Sequence, residues 1–189
     1  MFDFDVTRTY RPIEEKLNRT TNSRHRRMLQ MLLQHARAEV EGDLGSVLAT
    51  LAPWPVYKGV RPKGPQPEGP EEVRRFYIDE IFGSGRHVFE SNKTRIIVDD
   101  DAIITEGPMR ILLWGRDLAD RGMQLDDADA VYLMTVDVLI VWPFDEECRI
   151  VGEESWSQPM VTPMQKIAEE DVPQAFRDYV VRRKAAAAN

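Results

Sequence analysis

The sequence has little of what several classes of protein require. Its 189 residues include a single cysteine, Cys148, so no internal disulfide can form and a reducing compartment is expected. The three histidines lack the spacing of metal ligands and no cofactor motif is present, so we predict neither a metal site nor a cofactor. No basic segment followed by an apolar run opens the chain, which indicates no secretory signal and a cytoplasmic location.

Positive charge and long apolar runs are also scarce. The net charge of −7 disfavours a general attraction to nucleic acid or to anionic lipid. The one basic cluster, at residues 24–27, is interpreted as the solvated or ion-paired start of a helix. The longest apolar stretch, residues 130–144, is interrupted by Asp137 and is too short to span a bilayer. We therefore expect no nucleic-acid partner and no membrane partner.

Apolar residues at spacings of three and four predict helices in the first half of the chain. One helix is expected to start at Ser23 as its N-cap and to stop at Gly42, and Asp43 is expected to cap a short second helix. A further helix is predicted over residues 71–82. The segment 59–70 is so rich in glycine and proline that it predicts a loop, long enough to be a rim or a lid.

In the second half of the chain the apolar period changes to two, which is typical of strands. Four strands are predicted there, at about 87–98, 102–114, 130–142 and 149–158, and an earlier one, at about 54–59, follows the short second helix. Helices followed by a long antiparallel sheet form an α+β layout. We predict a domain over residues 23–158, preceded by an arm at 1–22 and followed by a C-terminal extension with a helix at 159–189.

Four stretches in this order resemble the nuclear transport factor 2-like superfamily, in particular its SnoaL-like and ketosteroid isomerase-like members. They read EGDLGSVLATLAPWPVY, GPEEVRRFYIDEIF, DDDAIITEGPMRIL and VDVLIVWPFDEECRIVGEESW, and the resemblance covers roughly residues 28–156. It implies a cystatin-like α+β barrel, in which a cone-shaped curved antiparallel sheet wraps around N-terminal helices and leaves an apolar cavity. It also implies a homodimer that pairs through the convex face of the sheet, where Trp114 and Trp142 are candidate contacts.

The resemblance implies a hydrophobic small-molecule ligand and a cofactor-free enzyme of the isomerase, cyclase or dehydratase kind. Such an enzyme acts on an apolar carbonyl compound by general acid–base catalysis. A non-catalytic module of the same fold, which binds a small ligand or a protein partner, is the alternative.

Asp137 interrupts an apolar run at a position expected to be buried, where an ionised carboxylate is costly. By alignment it resembles the oxyanion-stabilising aspartic acid of the ketosteroid isomerases, although a structural carboxylate is an equal alternative. His35 falls where those isomerases carry a helix-borne tyrosine, and imidazole can donate a hydrogen bond or move a proton. A histidine satisfied on the flank of the helix's apolar stripe is the alternative to that role.

The general base of the isomerases falls near Gly59, which cannot accept a proton, so steroid isomerisation is not expected unless Glu106, Glu90 or Glu153 substitutes. Tyr57 resembles a pocket tyrosine that limonene epoxide hydrolase-like members use to hold water. Their epoxide chemistry is weakly supported here, because their other acidic positions are not carboxylates in this sequence.

Further candidate contacts come from one strand and from the aromatic residues. Glu106 and Arg110 share a strand face, either as base and anion clamp inside the cone or as a surface ion pair, which the more apolar opposite face favours. Ser155 matches an aspartate of the limonene epoxide hydrolase-like members. The aromatic residues that wall a ring-binding cavity, or simply form core, are Trp54, Phe76, Phe89, Trp114 and Trp142.

Overall fold

The computed structural model describes residues 2–158 and 163–187, and its centre is one curved sheet of seven strands. The strands are β1 (Leu51–Lys58), β2 (Phe89–Ser91), β3 (Arg95–Val98), β4 (Ala102–Trp114), β5 (Val131–Pro143), β6 (Ile150–Ser157) and β7 (Gln165–Ile167). Their order is β1-β6-β5-β4-β2, with β3 also on β4 and β7 also on β5. The pair β1–β6 is parallel and the other pairs are antiparallel. The predicted α+β cone is confirmed.

Helices flank both faces of this sheet. They are α1 (Arg11–Arg19), α2 (Ser23–Glu41), α3 (Leu44–Leu48), α4 (Pro70–Phe76), α5 (Gly115–Asp120) and α6 (Gln174–Ala187). A π-helical turn, Tyr77–Phe82, continues α4, so the helix expected over 71–82 changes its hydrogen-bond pattern half-way. None of the helices in the described part of the chain is long and apolar enough to cross a membrane.

The ends of α2 show how local sequence sets the helix boundaries. The N-cap is Asn22, whose side chain accepts two backbone N–H bonds at 2.9 and 3.0 Å, so the prediction of Ser23 was wrong by one residue. Gly42 ends the helix at φ 73°, a left-handed conformation that glycine adopts without strain. Asp43 then caps α3 by accepting a backbone N–H bond at 3.0 Å.

Residues 1–22 contain more structure than their irregular pattern indicates. A 3₁₀ turn, Val6–Thr9, leads into α1, whose Ile13 and Leu17 are buried in the same core as α2. Two apolar residues one turn apart are too short a signal for a helix to be predicted from periodicity. This helix closes one side of the space enclosed by the sheet.

A β-bulge joins β2 to β3 along the edge of β4. Ser91 pairs with Met109 and Arg95 pairs with Glu106, so the three residues 92–94 lie opposite two residues of β4. The extra residue shifts the side-chain alternation by one position. Residues on both sides of the bulge therefore face the concave side of the sheet: Phe89, Ser91, Lys93, Ile96 and Val98.

The convex face is covered at one end by α6. Phe176 and Tyr179 of this helix are buried with Leu112 and Leu133 of the sheet. This is the helix expected in the C-terminal extension, and it packs on the sheet of its own chain. The expected start of the extension, Pro159, lies outside the described residues.

This packing corrects the predicted dimer contacts. Trp114 is buried in the cluster under α6, and Trp142 lies on the concave side, where its indole donates to the Thr105 hydroxyl at 3.0 Å. Neither tryptophan is available on the convex surface. Large apolar side chains that do remain exposed on that face include Ile97 and Trp156.

The bulge depends on a glycine in the facing strand, which leads to a prediction. A Cβ on Gly107 would lie 2.1 Å from the Asn92 carbonyl oxygen, so Gly107→Ala should force the bulge away from β4. We expect a loss of about 1–3 kcal/mol in the free energy of unfolding, measured by urea denaturation. Gly45→Ala in α3 is the control, because its Cβ meets only ordinary contacts; equal stability of the two variants would contradict the expectation.

Candidate functional site

A cavity of about 350 Å³ lies between the concave face of the sheet and the N-terminal helices. Most of its wall is apolar: α1 contributes Ile13, α2 contributes Leu32 and Ala36, and the sheet contributes Met109 and Val138. The loop after β1 contributes Gly59, Val60 and Pro62, so the segment expected to be a rim or a lid forms part of the wall. The cavity is within the size range of small-molecule sites.

Four ionisable side chains interrupt this apolar wall. They are Glu39 on α2, Arg86 after the π-helical turn, Lys93 in the bulge and Glu153 on β6. None of the cation–carboxylate pairs that these four described residues can form is within ion-pair distance, yet their charges affect one another's pKa. The four groups therefore surround a shared space instead of closing on each other.

The two carboxyl groups differ in how they are stabilised. Burial raises the pKa of Glu39 to about 8, and the neighbouring charge of Glu153 adds to the shift. Burial also raises the pKa of Glu153, but the Ser155 hydroxyl donates to its carboxylate at 2.5 Å and opposes the shift. Near neutral pH, Glu39 is therefore mainly protonated, whereas the hydrogen bond from Ser155 favours the ionised form of Glu153.

The two cationic side chains also have pKa values that differ from their ordinary ones. Burial lowers the pKa of Lys93 to about 8, and its ammonium donates to the Thr9 carbonyl oxygen at 2.6 Å. Burial likewise lowers the pKa of Arg86. Within residues 2–158 and 163–187, neither the Arg86 guanidinium nor the Glu39 carboxyl makes a hydrogen bond, so both groups are directed to the cavity without a protein partner.

A buried hydrogen-bonded chain lies behind the cavity wall. The Thr50 hydroxyl donates to the Val47 carbonyl at 2.6 Å, so it accepts from His35 Nδ1 at 2.7 Å. His35 Nε2 is then an acceptor for the Tyr77 hydroxyl at 3.1 Å, and Tyr77 in turn accepts from Tyr57 at 2.8 Å. Burial lowers the pKa of His35 to about 4, so the ring is neutral.

His35 and Tyr57, both predicted to act on the ligand, are thus brought together in this chain but do not line the cavity. Both are completely buried. His35 matches the alternative of a satisfied histidine, because both ring nitrogens have partners within the protein. A proton-transfer role for either residue stays a prediction that the wall geometry does not favour.

Asp137 is not in the cavity, which corrects the central prediction. Its side chain is exposed on the convex face, whereas its neighbours Val136 and Val138 line the cavity. Successive strand residues point to opposite faces, so an apolar run on a strand does not show that every member is buried. A carboxylate on this face is solvated and needs no partner.

Glu106 and Arg110 also lie on the convex face. Glu106 forms an exposed ion pair with Arg95. Arg110, which is half-buried, forms a second ion pair with Glu90, whose carboxylate is buried. The two residues do not pair with each other because the bulge brings different partners beside them. The prediction that they act in the cone as base and clamp was wrong; the alternative was right about the convex face but wrong about their pairing with each other.

The aromatic and serine candidates divide between cavity and exterior. Phe76, Phe89 and Ser155 line the cavity, and their contacts with a ligand stay a prediction. Trp54 is outside it, 62% exposed, and Trp114 is buried beneath α6, so both are corrected as ligand contacts. Of the substitute bases considered from the sequence, Glu153 alone is among the residues that line this cavity.

Sequence reasoning missed Glu39, Arg86 and Lys93. A signal existed for Glu39, because it lies three residues after Ala36 and so on the apolar stripe of α2. Lys93 also carried a signal, because it follows the candidate cavity residue Phe89 by four positions, and strand alternation places both on one face. Arg86 follows the turn-rich end of a helix, where a sequence pattern predicts no direction.

Solved structures share this fold. A SnoaL-like protein from Shewanella putrefaciens CN-32, provisionally described as a polyketide cyclase, has a TM-score of 0.59 at 11% identity, over 83% of this chain and 92% of that one. SalBIII, an epoxide hydrolase/cyclase-like enzyme of pyran ring formation in salinomycin, has a TM-score of 0.52 at 10% identity, over 74% of this chain and 95% of that one. An NTF2-like protein of unknown function from Burkholderia pseudomallei K96243 has a TM-score of 0.50 at 20% identity, over 70% of this chain and 91% of that one.

No protein-family model and no curated protein sequence matches the chain. The structural matches nevertheless show that the chain has the nuclear transport factor 2-like fold, as its sequence pattern predicted. At these identities the likeness is one of fold.

The raised pKa of Glu39 predicts a pH-dependent stability. The unfolded carboxyl ionises near its ordinary pKa of 4.5 and the folded one near 8, so the wild type loses free energy of unfolding as the pH rises between these values. Glu39→Gln cannot ionise, and it should gain stability relative to the wild type from about pH 5 to about pH 8. Urea denaturation at both pH values tests this, with Glu41→Gln on the exposed side of α2 as control. Parallel pH profiles for wild type and Glu39→Gln would refute it.

The direction of the buried hydrogen bonds predicts unequal costs for two similar substitutions. Tyr77→Phe removes the donor to His35 Nε2 and leaves a buried acceptor unsatisfied, which should cost about 1–3 kcal/mol of unfolding free energy. Tyr57→Phe removes only a donor to Tyr77, whose own hydroxyl still donates, so it should cost less than about 1 kcal/mol. Thermal and urea unfolding measure both; a larger loss for Tyr57→Phe would mean that the bonds run the other way.

Proposed function

We propose that this protein is a cofactor-free enzyme of the cyclase, isomerase or dehydratase kind, which acts on an apolar carbonyl compound by general acid–base catalysis. One observation carries the proposal: a carboxyl group whose pKa burial raises to about 8, and a second carboxyl group that accepts a hydrogen bond from the Ser155 hydroxyl, both line a mostly apolar cavity. Environments that push the pKa values of two groups apart are typical of an acid and a base.

The proposal assigns a role to each group. Glu153 is the base, because the Ser155 hydroxyl holds and stabilises its carboxylate. It removes a proton from the carbon next to the carbonyl group. Glu39 is the acid, because its protonated carboxyl can donate to the carbonyl oxygen as negative charge develops there. Arg86, which has no protein partner among the described residues, supplies positive charge for the same oxygen or for an anionic group of the substrate.

The wall supports an apolar substrate of modest size. Phe76 and Phe89 offer ring faces, and the aliphatic residues of the sheet cover the rest of the surface. An ionisable group in such a wall costs folding free energy, since burial opposes its charge, and this cost favours a role in chemistry over one in packing. Two proteins of the same fold are described as cyclases, which is consistent with ring-forming chemistry.

A non-catalytic binding module remains the second candidate. The observation that favours it is the position of the buried hydrogen-bonded chain of His35, Tyr77 and Tyr57, which does not line the cavity. A binding protein would retain ligand affinity without turnover. Homodimer formation also stays a prediction, for which the exposed Ile97 and Trp156 of the convex face are the available apolar contacts.

Exchange of the α-protons of a ketone tests the proposal directly. Wild-type protein in D₂O should accelerate deuterium incorporation into apolar ketones, of which 4-phenylbutan-2-one is the first probe, as followed by NMR. Glu153→Gln should lower the rate by about 10²–10⁴-fold, and Glu39→Gln should lower it as well. The rate should fall as the pH rises through about 8, because Glu39 then loses the proton that it donates.

Asp137→Asn is the matched control, because its carboxylate is exposed on the opposite face of the sheet. We expect its exchange rate to equal that of the wild type. Ketone binding without accelerated exchange would support the binding module, and a slow Asp137→Asn variant beside an active Glu153→Gln variant would exclude the assigned roles.

A further inference from the structure

Lys93 occupies an unusual position for a lysine. It lies in the bulge between β2 and β3, where its side chain continues the alternation of Phe89 and Ser91 onto the concave face, and it lines a cavity whose wall is mostly apolar. Its hydrogen-bond partner is a neutral backbone carbonyl, that of Thr9, at 2.6 Å. Lys58 and Lys166, by contrast, form surface ion pairs with Glu154 and Asp127.

The groups that face Lys93 come from three elements. Glu39 faces it from α2 and Glu153 from β6, and Arg86 shares the cavity from the segment after the π-helical turn. The remainder of the wall near these groups is apolar. An amine in such a setting is close to carboxyl groups that can transfer protons but is not locked to either of them by an ion pair.

We propose that Lys93 is a nucleophile that forms an imine with an apolar aldehyde or ketone bound in the cavity. The inference rests on the proposed function for one point, namely that a carbonyl compound enters this cavity. It adds a covalent step that acid–base catalysis by the two glutamates does not require.

The step balances with the groups that are present. The lone pair of Nζ attacks the carbonyl carbon and forms a C–N bond, and the carbonyl oxygen takes the proton of Glu39. Glu153 accepts the proton released from nitrogen and returns it to the hydroxyl group of the adduct. The C–O bond then breaks, water leaves and the nitrogen lone pair forms the C=N bond of an iminium ion. No oxidant or reductant is consumed.

The cavity favours this reaction because it maintains a reactive form of the amine. With a pKa of about 8, roughly one Lys93 side chain in ten is unprotonated at pH 7, whereas an ordinary lysine with a pKa near 10.4 is about 10²-fold less often so. Desolvated lysines of lowered pKa are a known route to amine nucleophiles. The iminium ion would also acidify the adjacent C–H group, which Glu153 can deprotonate.

Reductive trapping of the full-length wild-type protein tests the inference. The protein is incubated at pH 7 with 3-phenylpropanal and sodium cyanoborohydride, and alkylated lysines are quantified over time by peptide mass mapping. Lys93 should be alkylated at least about tenfold faster than Lys63, an exposed lysine of the loop after β1. Its rate should rise with pH up to about 8, as more of the amine is unprotonated, and fall at higher pH, as Glu39 loses the proton that it gives to the carbonyl oxygen.

The controls separate the cavity from the surface. The alcohol 3-phenylpropan-1-ol, which has no carbonyl group, should slow alkylation of Lys93 but not of Lys63. Lys63→Arg should leave the labelling of Lys93 unchanged, and Lys93→Met should abolish the fast phase without altering labelling elsewhere. Binding of the alcohol is followed separately by saturation-transfer NMR.

The labelling result decides whether Lys93 forms an imine. Fast, competitor-sensitive alkylation of Lys93 supports the inference. Alkylation no faster than at Lys63, while the alcohol binds and ketone exchange proceeds, overturns the imine and leaves the acid–base proposal intact. If the alcohol does not bind, the ketone does not exchange its protons and Lys93 is not labelled faster than Lys63, both the imine and the acid–base proposal are overturned.

Discussion

The long ladder between β4 and β5 is the constraint on which the rest of the structure depends. Each strand has 13 residues, and they pair without interruption from Ala102↔Pro143 to Trp114↔Val131. Because alternation is strict along such a pair, each residue of both strands is assigned either to the cavity or to the convex face. Val136 and Val138 thereby line the cavity, and Asp137 is left in solvent. The same ladder offers α6 an apolar surface at one end.

The cavity groups exist at the expense of local stability. Glu39 and Lys93 would each be more favourable in water, since burial moves the pKa of both toward the neutral form. The protein tolerates them because the groups share one cavity, where opposite charges partly offset the burial of each other. Apolar surroundings and unpaired ionisable groups together produce a site in which proton transfer near neutral pH is feasible.

Most of the fold was predictable from the sequence, because its signals are local. Periods of 3.6 and 2 placed the main helices and strands, and Gly42 and Asp43 marked the junction of α2 and α3. Little of the site was predictable. Alignment with a family directed attention to Asp137 and His35, whereas the ionisable residues that reach the cavity include Glu39 and Lys93. When a family's motifs are matched to a sequence of low similarity, they predict the fold better than they predict the residues of the site.

By itself, the sequence determined the order of the elements, their caps and the apolar residues available for a core, since these follow from steric preferences and periodicity along a short segment. Only the tertiary structure decided which charged groups meet. A strand's alternation defines two faces but not which one is covered, and the bulge opposite Gly107 reverses the assignment for every residue beyond it. Lys93 keeps the alternation of Phe89 and Ser91, but only the packing of α2 against the sheet brings it into one cavity with Glu39, because those two residues are far apart in the sequence.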